Sequence, residues 1–470
     1  MKKTNTIKRY AALMMAAGLA MGTWACGGSA GTQSTGTPET TKAETAATQQ
    51  PKQETEAAKS SEAEEKAVDT AITEPIEITL WGKWGAGVNG DTTRALVDKF
   101  NAENGKGITV LYEHAGNTAT IMSEIMTAVA GGTTPELIMM DCTTVPILAE
   151  NGVLADVSKY VERDNFDPDN IIENMNYYST YGDAYISIPF ARSNVVYIYN
   201  PDIFEECGVT VPVTIDEMVE NAKIIKEKKG IPSYSMIFDA SFYQNALLVG
   251  MGSEGVVSED GTRPAALEDG CLERLLTDWQ TWVKEGWCTA PDVTDAEKLM
   301  LESFYQGKLA AFETSSGLIR TISKAVEETG QKAEVAFLPG YNGNASGSGG
   351  SQIGVIAPGK TDAQIEASWE FMKFMLEDEN VVYFTENTGF LPTTKSSLET
   401  DGMKKVFEEY PGIKTAIDQM PLAADPYWST HRADWQVQVR QAMSAVIQDG
   451  GDVSEQIAYL ESQKQNVFGN

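Results

Sequence analysis

Histidine is nearly missing from this chain: His114 and His431 are the only two among 470 residues. That argues against sites built from clustered imidazoles, while carboxylate metal sites stay open. Positive charge is also scarce, with 36 Lys and Arg against 67 Asp and Glu, a formal charge of −31. Lys2, Lys3, Lys8 and Arg9 lie in residues 1–25 without any acid, so the remainder carries −35. Such a surface repels phosphate backbones and anionic headgroups, which argues against a nucleic-acid partner and against membrane binding through basic patches. Beyond the N-terminus no run approaches 18 uncharged apolar residues, so the chain does not by itself form an integral membrane transporter. Beyond Cys26, the cysteines are Cys142, Cys207, Cys271 and Cys288, none spaced as CxxC, which leaves zinc and thioredoxin-like sites without support. Cys271 and Cys288 bracket a helical segment carrying Trp279 and Trp282 and are the favoured pair if a bridge forms; free cysteines in packed positions are the alternative.

What is present begins with an export signal. Lys2, Lys3, Lys8 and Arg9 precede an apolar stretch from Ala11 to Met21, too short to span a bilayer, and then small residues and Cys26. Thr23-Trp24-Ala25-Cys26-Gly27 resembles a bacterial lipoprotein processing site, although Thr23 and Trp24 depart from its usual Leu and small residue. Cys26 is therefore expected to carry lipid, with ordinary cleavage after Ala30 as the alternative. Residues 27–74 contain no aromatic and are built from Thr, Glu, Ala, Gln, Lys, Ser and Gly, a composition of disordered chain. As a random coil this tether spans about 35–40 Å root-mean-square.

Residues 75–470 alternate strand-like and helix-like patterns. Ile76 to Trp81 alternates apolar and polar residues; Asp91 to Asn101 places Ala95, Leu96, Val97 and Phe100 at helical spacing. A strand at 108–112, a helix at 120–130 and a strand at 136–140 complete a βαβαβ order, which predicts a parallel sheet covered by helices. Further strands are expected at 184–190, 195–199 and 353–357, and helices near 214–229, 268–285 and 363–378. One doubly wound sheet rarely absorbs so many elements, so the fold class is α/β with two lobes.

Catalytic motifs are scarce. Neither GxSxG nor HExxH occurs in residues 75–470, and 67 acids make some close carboxylate pair uninformative. Asp164 to Asn170 resembles a calcium loop but lacks the glycine and closing glutamate of an EF-hand, and reads better as a turn with a capped helix start. Gly85-Ala86-Gly87-Val88-Asn89-Gly90 matches GxGxxG, but an exported chain is not normally supplied with dinucleotides, so no cofactor is expected. Glycines at a βα turn still let backbone approach a ligand, and a helix N-terminus favours oxygen-rich groups. Trp81 and Trp84 beside this loop either stack on a ligand or pack the lobe.

Four runs carry a wider resemblance: Ile188 to Asn200, Gly307 to Gly317, Gly349 to Val355, and Trp369 to Met375 followed by Thr388-Gly389-Phe390-Leu391-Pro392. In number and order they resemble the family 1 extracellular solute-binding proteins of carbohydrate ABC importers, closest to the glycerol-3-phosphate-binding branch, over all of 75–470. The resemblance implies two α/β lobes joined by crossing hinge strands, with a periplasmic-binding-protein-like cleft between them. Lobe 1 is expected at roughly 75–187 and 332–390, lobe 2 at roughly 188–331 and 391–470. It also implies ligand contacts from Ser193, Ser315, Ser316, Gly350 and Arg432, with Arg192 and Asn194 flanking Ser193. Phe390 and Thr118 stand where the branch has tyrosines, and Asp141-Cys142 where it has a glutamate. These losses of hydroxyl donors favour neutral sugars over glycerol phosphates.

Sugars offer hydroxyls that need paired donors and acceptors, and C–H faces that pack on rings. Ser233 to Ser235, Phe238-Asp239, Phe242 to Asn245 and Asp425 to Thr430 mix both kinds of residue, so Trp84, Asp141, Phe238, Phe390 and Trp428 join the candidate site. The expected mechanism is conformational: ligand bound on one lobe completes its hydrogen bonds on the other, favouring a closed form that the ABC permease transmembrane subunits recognise. No catalysis, no metal and a monomer are expected. A secreted glycosidase and a tethered carbohydrate sensor or adhesin are the competing classes.

Overall fold

The computed structural model describes residues 72–117, 120–239, 242–291, 295–424 and 427–469. The export signal, Cys26, nearly all of the tether, Thr118 and Asp425-Pro426 lie outside the described residues.

Strand β1 (Ile76–Gly82), helix α1 (Val88–Glu103), β2 (Ile108–His114), α2 (Ile121–Gly131) and β3 (Leu137–Asp141) follow in order, with β1 parallel to both β2 and β3. In β3, Leu137 and Met139 enter one apolar core while Ile138 and Met140 enter another on the opposite face. The run is continuously apolar because helices cover both sides of this sheet.

Of the expected strands at 184–190 and 195–199, Ala184–Tyr185 pairs separately with Thr180–Tyr181, while residues from Ser187 on merge into one strand, β4 (Ser187–Tyr199). After it come α3 (Ile215–Lys229), α4 (Cys271–Glu285), β5 (Ala311–Ser315), β6 (Glu334–Ala336), β7 (Leu338–Gly340) and the long β8 (Gly343–Val355). The chain ends through α5 (Asp362–Met375), α6 (Asp378–Thr388), the short β9 (Ala423–Ala424), α7 (Arg432–Ile447) and α8 (Val453–Phe468). Capping follows sequence rules: Thr214 with Glu217 and Thr361 with Gln364 form capping boxes at the starts of α3 and α5.

Two strands belong to both lobes. The end of β8 pairs with β3, from Ser351 opposite Asp141 to Val355 opposite Leu137, and with the beginning of β4. The beginning of β8 pairs with β7 and β9, while the end of β4 pairs with β5 and β6. Between these halves the β4–β8 register shifts at Gly350/Ser351, with Ala191 at φ 51° and Gly350 at φ 111°. A Cβ at Gly350 would stand 2.3 Å from the Ala191 carbonyl oxygen, so the two chains cross closely enough to require glycine.

These pairings differ from the expected lobe boundaries. β6, β7 and the first half of β8 pair on the lobe 2 side, so the chain returns to lobe 1 at Ser351 rather than at 332. Leu391 bridges to Arg192 and Thr394 to Ile171, which keeps the segment after α6 against lobe 1. Apart from Asn344 and Ala345, residues 343–351 are all glycine or serine, which sequence propensity assigns to loops, and this hid the strand.

The calcium-like run holds cations of the protein itself. Asp164 accepts from Trp369 Nε1 at 2.9 Å and pairs with Arg163 and Lys373, tying it to α5, while Asp167 caps a short 3-10 turn. All four described cysteines are free, and the Cys271–Cys288 bridge is not formed. Cys271 opens α4 and Cys288 lies just past its far end. Fifteen helical residues hold the two apart by about 20 Å, well beyond disulfide reach. Among the described residues no helix is long and apolar enough to cross a membrane.

Candidate functional site

Strand ends converge where β4 and β8 cross. Asp141 closes β3, Ser315 closes β5, and Ser193 lies opposite Gly349 in the crossing pair. Carboxyl ends of strands at a topological switch are where α/β folds open a crevice. The crevice here is a cavity of about 230 Å³. Lobe 1 supplies Lys83, Asp141, Cys142 and Thr143; the crossing strands supply Ser193, Ser348, Gly349 and Gly350; lobe 2 supplies Asp239, Phe242, Tyr243, Ser315 and Arg432; and Phe390 completes the wall.

Two aromatic walls rest on glycine. A Cβ at Gly349 would come within 2.6 Å of the Phe242 ring and one at Gly317 within 2.7 Å of Phe390. Phe390 continues into a ring stack with Phe384 at 5.9 Å and Trp84 at 5.5 Å. The polar lining mixes charge. Asp141 Oδ1 accepts from the Thr143 backbone N–H at 3.0 Å and its hydroxyl at 2.7 Å. Arg432, at the start of α7, donates from Nη1 to the Tyr178 hydroxyl at 3.2 Å and lies over the Tyr427 ring at 4.5 Å. Behind the lining, Arg192 is fully buried and donates from Nη2 to Ser348 Oγ at 2.9 Å. Desolvation lowers the Lys83 ammonium below its usual range, an effect that Asp141 opposes and Arg192 reinforces. Burial raises the Cys142 thiol, and Asp141 adds to that shift.

The structure brings Asp141, Ser193, Ser315, Gly350, Phe390 and Arg432 to one cavity. Six other candidates stand elsewhere. Trp84 packs among Phe190, Phe384 and Phe390. Asn194 and Ser316 lock the crossing from behind: the Asn194 backbone N–H donates to Ser316 Oγ at 3.1 Å and its Nδ2 to the Ala416 carbonyl at 2.6 Å. Arg192 stands one layer back. Phe238 stacks on Trp279 and lines a second cavity of about 490 Å³ that shares Asp239 and Tyr243 with the first. Trp428 stacks on Tyr181 at 5.3 Å and donates to Glu150 Oε1 at 2.9 Å, a contact from the C-terminal segment to lobe 1.

The glycine-rich turn at 85–90 stays outside this cavity. Gly87 N–H and the Arg94 guanidinium hold Asp91 at the start of α1, and Gly90 packs against the Gly85 carbonyl, where a Cβ would stand at 1.9 Å. The glycines thus let the loop close on itself, and Trp81 donates to Glu113 Oε2 at 3.1 Å. Sequence reading missed Lys83, Thr143, Ser348 and Gly349. Lys83 alone had a signal, a lone cation between two tryptophans at the end of a strand.

Residues 95–415 match the bacterial extracellular solute-binding protein family. The chain is 25% identical over 376 residues to the sn-glycerol-3-phosphate-binding periplasmic protein UgpB of Pectobacterium atrosepticum, covering 74% of this chain and 79% of that one. The fold is similar to that of the GacH receptor of Streptomyces glaucescens, at TM-score 0.72, 20% identity and coverage of 84% of this chain and 98% of that one. UgpB of Mycobacterium tuberculosis, solved in complex with glycerophosphocholine, matches at TM-score 0.72 and 17% identity, covering 84% of this chain and 98% of that one. With the family match spanning most of the two-lobed body, the chain belongs to the bacterial extracellular solute-binding protein family.

Proposed function

We propose that this protein captures a small polyhydroxylated solute, a sugar or a glycerol phosphate, and delivers it to the membrane subunits of an ABC importer. The carrying observation is the cavity at the β4–β8 crossing, whose walls come from both lobes and from the strands joining them. Ser193, Ser315, Ser348, Thr143 and Tyr243 offer hydroxyls, Asp141 and Asp239 accept, and Phe242 and Phe390 offer flat faces, the mixture that hydroxylated rings need. Relatives named for sn-glycerol-3-phosphate binding and a neighbour solved with acarbose support this ligand class. Rotation about the crossing lets ligand shift the population toward a closed form.

The reading includes export, lipidation of Cys26 and a tether over 26–74 that holds the binding body at the outer face of the cell membrane as a monomer. It is a binder without turnover. A thermal-shift screen against mono- and oligosaccharides, polyols and glycerol phosphates tests it, with product analysis on each hit. Ligand at 100 times Kd adds about 2.7 kcal/mol to the native state, a rise of a few degrees in Tm. Turnover of a hit overturns the non-enzymatic reading, and uptake that persists when the gene is deleted points to a tethered sensor instead.

A further inference from the structure

The larger cavity, of about 490 Å³, lies wholly in lobe 2 and adjoins the cavity at the strand crossing, with Asp239 and Tyr243 in the wall of each. Helix α7 runs along both. Arg432 lines the first cavity, Gln436 donates from Nε2 to Asp239 Oδ1 at 2.9 Å, and Arg440 lines the second. These three residues stand at i, i+4 and i+8, so they share one helix face and form a polar stripe about 12 Å long. Opposite charges at its far end are left without partners. Arg440 Nε is buried and has no hydrogen-bond partner. Among the described residues Arg440 and Glu297 form no ion pair, with each other or with any other group, although both line the cavity. Glu297 is accessible, yet desolvation raises its carboxyl above the ordinary range and no cation opposes the shift. Lys298 is drawn instead to Glu302 on its own helix, at 4.0 Å.

A buried guanidinium nitrogen without an acceptor is costly, and so is a partly desolvated carboxylate without a donor. Two neighbouring hydroxyls on a sugar ring answer both, one accepting from Arg440 and the other donating to Glu297. The ring's C–H face then has Phe238 and Tyr243 to pack on. A compact anion would answer Arg440 alone and would meet Asp239, Asp295 and Glu297 as like charges. We infer that the second cavity is a subsite for a further, uncharged sugar unit held by Arg440 and Glu297, and that the solute therefore contains at least two linked units.

This assignment rests on the solute-binding reading and narrows it. A single ring or a glycerol phosphate seated at Arg432 leaves Arg440 and Glu297 unmet, about 12 Å along α7. Selection for ligand length then resides in α7 and in the helix carrying Glu297 (Ala296–Tyr305), because the crossing strands line the first cavity only. Both subsites belong to lobe 2 on this side of the cleft, so the second unit adds affinity before the lobes close.

The test is calorimetric titration of the full chain with ligands matched in chemistry and stepped in length: D-glucose, maltose, cellobiose and maltotriose, D-mannose and mannobiose, and sn-glycerol 3-phosphate. At least one disaccharide is expected to bind roughly 10–100-fold more tightly than its own monosaccharide. Arg440→Gln and Glu297→Gln are each expected to bring that ratio toward one, with circular dichroism and Tm confirming that both variants fold. A monosaccharide or sn-glycerol 3-phosphate that binds as tightly as every longer ligand overturns the inference while the solute-binding reading stands. So does a disaccharide preference left undiminished in both variants, which would place the second unit elsewhere. Failure of every ligand to bind overturns the inference together with the reading beneath it.

Discussion

Glu313 is a carboxyl group shut away from the surface. It lies in β5, fully buried opposite Tyr197, accepts from the Tyr234 hydroxyl at 3.0 Å, and leaves its second oxygen without a partner. Burial pushes its pKa up to about 8, although the hydrogen bond from Tyr234 pulls the other way. The folded state therefore holds a proton that the unfolded chain releases near its ordinary value of 4.5. Stability from this group is fully present below that value and is lost as pH rises toward about 8. The loss amounts to roughly 3–5 kcal/mol. Glu313→Gln keeps a partner for Tyr234 and is expected to remove this slope, so that the variant outlasts the natural protein in urea at pH 8 and loses that advantage at pH 5. Equal pH profiles for the two would show that Glu313 is ionised in the fold. The consequence reaches the ligand, since Glu313 and Ser315 alternate onto the same face of β5 two residues apart.

Among the elements, β4 and β8 separate what the sequence revealed from what it hid. β1, β2, β3 and the helices between them were legible within a few residues, because apolar periodicity and buried faces coincide there. The segment 343–350 was not, because its strand state is imposed by pairing on both sides against the propensity of glycine and serine. The same cause hid Ser348 and Gly349 from the candidate site. Conversely, Asn194 and Arg192 sit in the right sequence run but one layer behind the cavity, since alternate residues of a strand point to opposite faces, and Ser316 is turned away by the 3-10 turn that it opens after β5. Gly350→Ala tests the crossing directly. Its Cβ has no room beside the Ala191 carbonyl and its φ is unfavourable for alanine, so the variant is expected to lose roughly 2–4 kcal/mol of stability in urea titration and to bind its ligand more weakly. Helix α4 gives a second element-scale expectation: with Cys271 and Cys288 at its opposite ends and free, a reducing agent leaves the thermal midpoint unchanged. A midpoint that drops on reduction would require a bridge this fold does not contain.

At the scale of the whole molecule, the lobes touch away from the strand crossing as well. Trp428 stacks on Tyr181 and donates to Glu150, while the Tyr178 hydroxyl donates to the Tyr427 carbonyl at 3.0 Å and accepts from Arg432. This aromatic clasp joins the segment that carries Arg432 to the opposite lobe and favours the closed arrangement. Trp428→Ala removes an aromatic pair of about 0.5–1.5 kcal/mol, so ligand affinity is expected to fall roughly three- to tenfold and the radius of gyration in solution scattering to rise. Unchanged scattering in the ligand-free variant would assign Trp428 to packing alone. The kinks at Ala191 and Gly350 lie side by side and Gly350 lines the cavity, which makes the cleft floor the fulcrum of any rotation between the lobes. Leverage follows: displacement grows with distance from a fulcrum, so Ser193 and Gly350 stay nearly fixed while residues at the far rim sweep the longest arcs. A dye at the floor would stay dim to closure, and a donor–acceptor pair attached across the rim would turn the same event into a readable optical signal.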